Sequence, residues 1–216
     1  LVGHGTVRIA VLGFENRAPN ESELSEMKRL TAEAMQAGAF GISSGLIYVP
    51  ANYADTEEII EMAKVASRHK GIYTTHMRSE GDREMEAIHE TFRIASEAGI
   101  AAHISHHKIA GKSNWGKSID TLKLFAQARA DGLLITCDQY PYQAGSTFLA
   151  AALPPHIQAQ GPGVFAEKLK EPEVRRAIVD EIENVRDGRW ENLITGAGFE
   201  NIIISVSPRH TEHIGT

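Results

Sequence analysis

The chain has 216 residues, 42% of them hydrophobic and 23% charged, with a formal net charge of −6. That balance is ordinary for a globular protein and argues against nucleic acid or an anionic membrane surface as the main partner. No apolar run reaches the ~18 residues needed to span a bilayer. The first residues, Leu1-Val2-Gly3-His4-Gly5, carry no basic-then-apolar signal pattern. A lone cysteine, Cys137, excludes an internal disulfide framework and fits a reducing cytoplasm. Ten histidines raise the expectation of metal chemistry. A start without methionine and an end at His213-Ile214-Gly215-Thr216 point to a piece of something longer.

Taken in chain order, the first two thirds repeat one unit: strand, loop, helix, glycine. Strands are expected over 7–12, 39–43, 71–75, 101–105 and 133–137. Between them run amphipathic stripes: Leu24, Met27, Leu30 and Ala34; then Ile59, Met62, Ala63 and Ala66; then Met85, Ile88, Phe92 and Ala95. Ile119, Leu122, Ala126 and Arg129 outline a fourth helix more weakly. Asp55 with Glu58 has the form of a capping box for the second helix. Gly38, Gly71, Gly99 and Gly132 each follow a helix, where a left-handed C′ residue is needed. They are spaced by about 30 residues, the size of one βα unit.

Repeated βα units imply parallel strands joined by right-handed crossovers. The α/β class then allows an open doubly wound sheet or a closed (β/α)₈ TIM barrel. An open sheet most often carries a Gly-rich phosphate loop after its first strand, and none is present. Polar residues instead gather at successive strand ends, where a barrel places its chemistry, so the barrel reading is preferred. About five strands cannot close an eight-stranded barrel, so the barrel is incomplete in this chain. After Tyr142 the pattern changes. Residues 144–163 contain Gly145, Pro154, Pro155, Gly161, Pro162 and Gly163 and read as loop. A helix is expected over 174–185, then a short apolar run over 202–206. The charge-rich segment 167–176 reads as the solvated face of a helix. The chain thus divides into βα units over 1–143 and a loop-rich insertion over 144–216.

Two histidines stand out. His76 lies just past the third expected strand, and His106 just past the fourth. Imidazole nitrogens suit zinc, and neighbouring strand ends can hold one ion between them. A single strand histidine is more often structural; the pairing favours a metal. Zinc prefers four ligands, so this set is incomplete. By strand parity Ile104, His106 and Lys108 share one face, while His103, Ser105 and His107 share the other. His103 and His107 are therefore expected in packing or supporting roles. Lys108 can hold a substrate carboxylate above His106, or be a solvated loop lysine. Tyr48 and Tyr140, also at strand ends, can grip a carboxylate or polarise a carbonyl; the alternative is loop packing. Cys137 reads as a small buried hydrophobe, and Arg78 and Glu80 as a local or loop-bound charge pair. Gly3-His4-Gly5 is not an H-x-H pair.

The blocks Gly41-Ile42-Ser43-Ser44-Gly45-Leu46-Ile47-Tyr48, Tyr73-Thr74-Thr75-His76-Met77-Arg78-Ser79-Glu80, Ile104-Ser105-His106-His107-Lys108 and Cys137-Asp138-Gln139-Tyr140-Pro141-Tyr142 resemble the N-acyl-D-amino-acid deacylases (D-aminoacylases) of the amidohydrolase superfamily. Asn114-Trp115-Gly116 is similar as well. The resemblance implies a (β/α)₈ barrel with Zn²⁺ at its mouth, hydrolysing the amide of a small N-acyl-D-amino acid. His76 and His106 would be the metal ligands of the fifth and sixth strands. Lys108, Tyr140 and Ser146 match positions around the substrate carboxylate, and Tyr48 one close to the scissile amide. The family's H-x-H pair, early cysteine ligand and general-base aspartate have no counterpart here. The resemblance therefore implies a central piece, with the insertion following the seventh barrel strand. It would be active only when the rest of the barrel, or a self-association partner, completes it. Two other readings stay open: a hydantoinase- or dihydroorotase-like reaction on the same scaffold, and a non-catalytic barrel fragment. The first commonly needs a lysine on the fourth strand, where this chain has Ser43-Ser44-Gly45.

Overall fold

The structure, a computed structural model, describes residues 1–184 and 190–216. One sheet holds β1 (Val2–Gly3), β2 (Gly41–Gly45), β3 (Ile72–His76), β4 (Ala101–Ile104) and β5 (Ile135–Cys137), all parallel and in chain order. Between them run α1 (His4–Leu12), α2 (Glu21–Gln36), α3 (Thr56–Arg68), α4 (Glu84–Ala98) and α5 (Ser118–Ala130). The strand order never reverses, so the switch point of a doubly wound sheet does not occur among these five strands. Side-chain alternation divides the sheet's two faces. Ile42, Ser44, Tyr73, Thr75, Ala102 and Ile104 are buried, the apolar ones in the core with Met27, Ile59, Met62, Ile88 and Phe125. Ser43, Thr74, His76 and His103 have the opposite parity and are only half-buried. His76 thus ends its strand on the face that is not covered by helices.

Local chemistry explains the helix ends. α2 opens with a full capping box: Asn20 accepts the Glu23 N–H at 2.9 Å, and Glu23 accepts the Asn20 N–H at 2.8 Å. In α3 the expected box is half made. Asp55 accepts the Glu58 N–H at 2.8 Å, but the Glu58 carboxylate is buried and turned toward α1. α4 ends on Gly99 at φ 60, the left-handed cap. After α3 that conformation falls instead on Lys70, at φ 58. Gly71 is needed there for space: a Cβ would lie 2.7 Å from Met35 Cε and 3.0 Å from the Gly41 Cα.

Two expectations need correction. The strand expected over 7–12 is a helix, and β1 is the short Val2–Gly3 pair before it. The short apolar run there reads as a strand. The buried positions, His4, Val7, Arg8 and Leu12, follow a helical period instead. The segment 167–176 is not one helix face, because α6 (Pro162–Lys168) stops and α7 (Pro172–Asn184) starts within it. α7 covers the helix expected over 174–185, except Val185, which lies outside the described residues. Residues 202–206 form no regular element. Near α7, Ala152, Ile178 and Ile182 build a second small apolar cluster with Ile194 of α8 (Leu193–Ala197). Among the described residues no helix is long and apolar enough to cross a membrane.

α1 is tied to α3 by a buried charge cluster. His4 Nε2 lies 2.7 Å from Glu58 Oε1, and Arg8 Nη1 donates to Glu58 Oε2. One helical turn separates His4 from Arg8, so both reach one carboxylate. Burial pushes the Glu58 carboxyl up, but the bonds from His4 and Arg8 outweigh it and hold the group below its ordinary 4.5. Glu58→Ala would leave Arg8 buried without its counter-charge. We expect a loss of about 3–5 kcal/mol in urea unfolding of the full-length protein. Because the folded carboxyl is the stronger acid, its contribution is present above pH 4.5 and lost as pH falls below it. Unfolding midpoints of the parent and Glu58→Ala should therefore converge in acid, and a constant gap would refute the assignment.

Candidate metal centre

The βα loops after β2, β3, β4 and β5 meet at the carboxyl edge of the sheet. β3 and β4 pair with Ile72 opposite Ala101 and Thr75 opposite Ile104. That register puts His76 one step beyond the last pair and His106 two residues past β4. Their rings lie 4.6 Å apart at 67°, with His76 Nδ1 3.0 Å from His106 Nε2. The route taken by His106 is not the expected one. β4 stops at Ile104, and His106 sits at φ 44, so strand parity no longer applies. A non-glycine residue there is strained by on the order of 1–3 kcal/mol and must be held. Asp138, just past β5, does this: its Oδ1 accepts the His106 N–H, and its carbonyl accepts the His107 N–H at 2.9 Å. The His106 N–H, followed by His103, keeps the Asp138 carboxyl below the ordinary range.

Glu80, in the loop after β3, reaches the outer nitrogens of both rings. Its Oε1 is 2.8 Å from His106 Nδ1 and its Oε2 is 3.9 Å from His76 Nε2. Lys108 Nζ lies 2.6 Å from Glu80 Oε1, 2.9 Å from His106 Nδ1 and 2.7 Å from the His106 carbonyl. These contacts on Glu80 Oε1 are ion pairs off the hydrogen-bond direction; among the described residues Oε1 and His76 Nε2 have no hydrogen-bond partner. Burial, then the nearby His106 and Lys108, depress the His76 imidazole to about 3, which keeps it neutral. Glu191, from the segment after α7, accepts the Glu80 N–H at 2.6 Å. Its own carboxyl is raised to about 7 by burial. Glu84, at the start of α4, is raised to about 8 by burial and has His107 Nδ1 3.2 Å away.

The other expected residues gather here to different degrees. The Tyr48 ring lies 5.1 Å from that of His76, with its hydroxyl 2.8 Å from Thr147 Oγ1. Burial raises its phenol above 10. The Tyr140 ring is 6.4 Å from His106 and 5.4 Å from the Lys108 ammonium. Ser146 is exposed on the loop beyond, beside Thr147. Arg78 does not pair with Glu80; it binds Glu90 at 2.8 Å and the carbonyls of Asn52 and Ala54. His103 turns to Thr136 and Asp138, at 2.8 and 3.1 Å. His107 packs on Phe125 and meets Thr121 Oγ1 at 2.9 Å. Cys137 packs against the core. Glu80, Glu191 and Asp138 are the members that the sequence did not assign; the spacing of Glu80 four residues after His76 was the one local signal.

His76, Glu80 and His106 form a group able to hold a metal ion. Two nitrogens on one tetrahedral zinc lie about 3.3 Å apart, and the facing Nδ1 and Nε2 stand at 3.0 Å. His106 is held through its backbone by Asp138, and His76 is neutral, the form that ligates. The residues therefore fit a divalent ion.

Paired imidazoles with a lysine and a carboxylate at the carboxyl edge of a parallel βα sheet define a metal-hydrolase type of site. No family model matches the sequence. A D-aminoacylase from Alcaligenes xylosoxydans xylosoxydans is 49% identical over 151 residues, 69% of this chain and 31% of that protein. A D-aminoacylase structure described by its binuclear metal center superposes with a TM-score of 0.64 and 44% identity, over 66% of this chain and 30% of that one. The N-acyl-D-glutamate deacylase of Bordetella bronchiseptica, complexed with zinc and a phosphonate inhibitor, superposes over 100% of this chain and 36% of its own, at 30% identity and a TM-score of 0.73. The chain belongs to the N-acyl-D-amino-acid deacylase family of the amidohydrolase superfamily, and it spans about a third of the length of these relatives.

If Asp138 holds the His106 turn, Asp138→Ala should release it. The His106 amide would then exchange with deuterium at least about tenfold faster, as expected for loss of roughly 1.4 kcal/mol. Unchanged exchange would show that the turn is held by other contacts.

Proposed function

We propose that the full-length protein hydrolyses the amide bond of N-acyl-D-amino acids, releasing a D-amino acid and a carboxylate, at a zinc site to which His76 and His106 contribute two ligands. The facing His76 Nδ1 and His106 Nε2, 3.0 Å apart at the ends of adjacent parallel strands, carry this reading. The five strands in chain order support an arc of a (β/α)₈ barrel, whose mouth is the carboxyl edge. Zinc, when bound, supplies Lewis acidity. Lys108 takes the substrate carboxylate: when His106 Nδ1 carries a proton and faces Glu80, one lysine N–H is freed for it. Tyr140, under that ammonium, and Ser146 border the same carboxylate. Tyr48, its ring tilted against that of His76 at 5.1 Å, offers its phenol to the developing oxyanion; its raised pKa keeps the proton available to donate. The general base comes from residues outside these 216, so this segment alone is inactive. A hydantoinase-like site bridged by a lysine at the end of β2 is not supported. A Cβ at Gly45 would already lie 2.8 Å from the Tyr48 ring.

Zinc-loaded full-length protein should release acetate from N-acetyl-D-amino acids and not from their L-enantiomers. His106→Ala should lower kcat/KM by about 10³-fold, on the order of 4 kcal/mol. Preferential opening of a hydantoin, or equal turnover of L-substrates, would overturn the reading. Lys108→Met should act mainly on KM, raising it by roughly 30-fold, about 2 kcal/mol, as expected for a lost carboxylate partner. An unchanged KM would remove Lys108 from the substrate site.

A further inference from the structure

We infer that Glu80 is the positioning residue of the metal centre: its carboxylate stands beside the outer nitrogens of His76 and His106, accepts from that of His106 when the ring ligates through its other nitrogen, and fixes the Lys108 ammonium there, without itself ligating the ion. This rests on the zinc reading above. A ring that ligates through one nitrogen needs an acceptor for the other, or its tautomer and tilt are free. Among the described residues Glu80 is the carboxylate within 4 Å of both outer nitrogens, at 2.8 Å from His106 Nδ1 and 3.9 Å from His76 Nε2. Its place on that side is set from elsewhere, because Glu191 grips its backbone N–H at 2.6 Å.

Lys108 decides between positioning and ligation. A metal ion bound by Glu80 and the outer nitrogens would need the space where the ammonium now sits, 2.6 Å from Glu80 Oε1 and 2.9 Å from His106 Nδ1. The outer side of the ring pair already holds its cation. The inner side, between His76 Nδ1 and His106 Nε2, is the side left for the metal. The same carboxylate offsets the repulsion between the lysine and a divalent ion held on the far side of the His106 ring. One side chain thus sets ring orientation and makes a lysine tolerable next to a metal.

The test is zinc affinity by chelator competition in the full-length protein, with the parent, Glu80→Gln, Glu80→Ala and His106→Ala measured together. Glu80→Ala should weaken zinc by about 10- to 100-fold. Glu80→Gln keeps an acceptor oxygen for His106 Nδ1 and should fall between it and the parent. Melting of the metal-free Glu80→Gln protein should match the parent. Zinc affinity in Glu80→Ala within twofold of the parent, while His106→Ala loses zinc, would overturn this inference alone. Loss in Glu80→Ala as complete as in His106→Ala would make Glu80 a ligand and also overturn it. Full zinc affinity in His106→Ala would overturn the zinc reading together with it.

Discussion

Neighbouring parallel strands lie about 4.8 Å apart, so side chains leaving their carboxyl ends can meet across that gap even where one of them has left the strand. The pairing of β3 with β4 uses this spacing to bring His76 and His106 together. Everything else at the carboxyl edge adjusts to it. The helices cover one face of the sheet, so His76 is left on the other. β4 ends early enough for His106 to turn back through a left-handed conformation. Asp138, arriving on the next strand, holds that turn. Three consecutive strands therefore contribute to one pair of imidazoles.

Charge balance is the second constraint. Lys108 lies within 3 Å of an imidazole nitrogen that belongs to the pair. Such a cation beside a divalent ion is unfavourable unless an anion lies close. Glu80 supplies it at 2.6 Å. The two further carboxyls nearby, Glu84 and Glu191, are pushed up to about 8 and about 7 by burial, which limits the negative charge that accumulates near neutral pH. Glu191 also links the segment after α7 to the loop that bears Glu80. The last third of the chain is thereby mechanically joined to the candidate centre, although its own apolar cluster is separate from the main core.

Hydrophobic period and local caps made most of the sheet legible. β2, β3, β4 and β5 fall within two residues of their expected starts, because apolar runs bounded by glycine carry that information locally. α1 was misread because its short apolar run reads as a strand, while its burial is decided by contact with α3. The half-made cap at Asp55 has the same origin: Glu58 is drawn from a local role into a buried charge cluster. Arg78 was expected to pair with Glu80 or with loop groups; it takes the loop carbonyls of Asn52 and Ala54, and α4 brings it Glu90 in place of Glu80.

The sequence by itself determined the βα repeat, the two strand-end histidines, the neighbouring lysine and the resemblance to N-acyl-D-amino-acid deacylases. These are properties of short windows, where residue type and spacing suffice. Tertiary structure alone decided which nitrogens face each other, that His106 leaves the strand before it points inward, and that Glu80, Glu191 and Asp138 serve the same centre. Those side chains come from separate loops, with 53 residues from Asp138 to Glu191 in the numbering, and nothing local encodes their meeting. Strand register and burial bring them together, and both depend on the whole sheet.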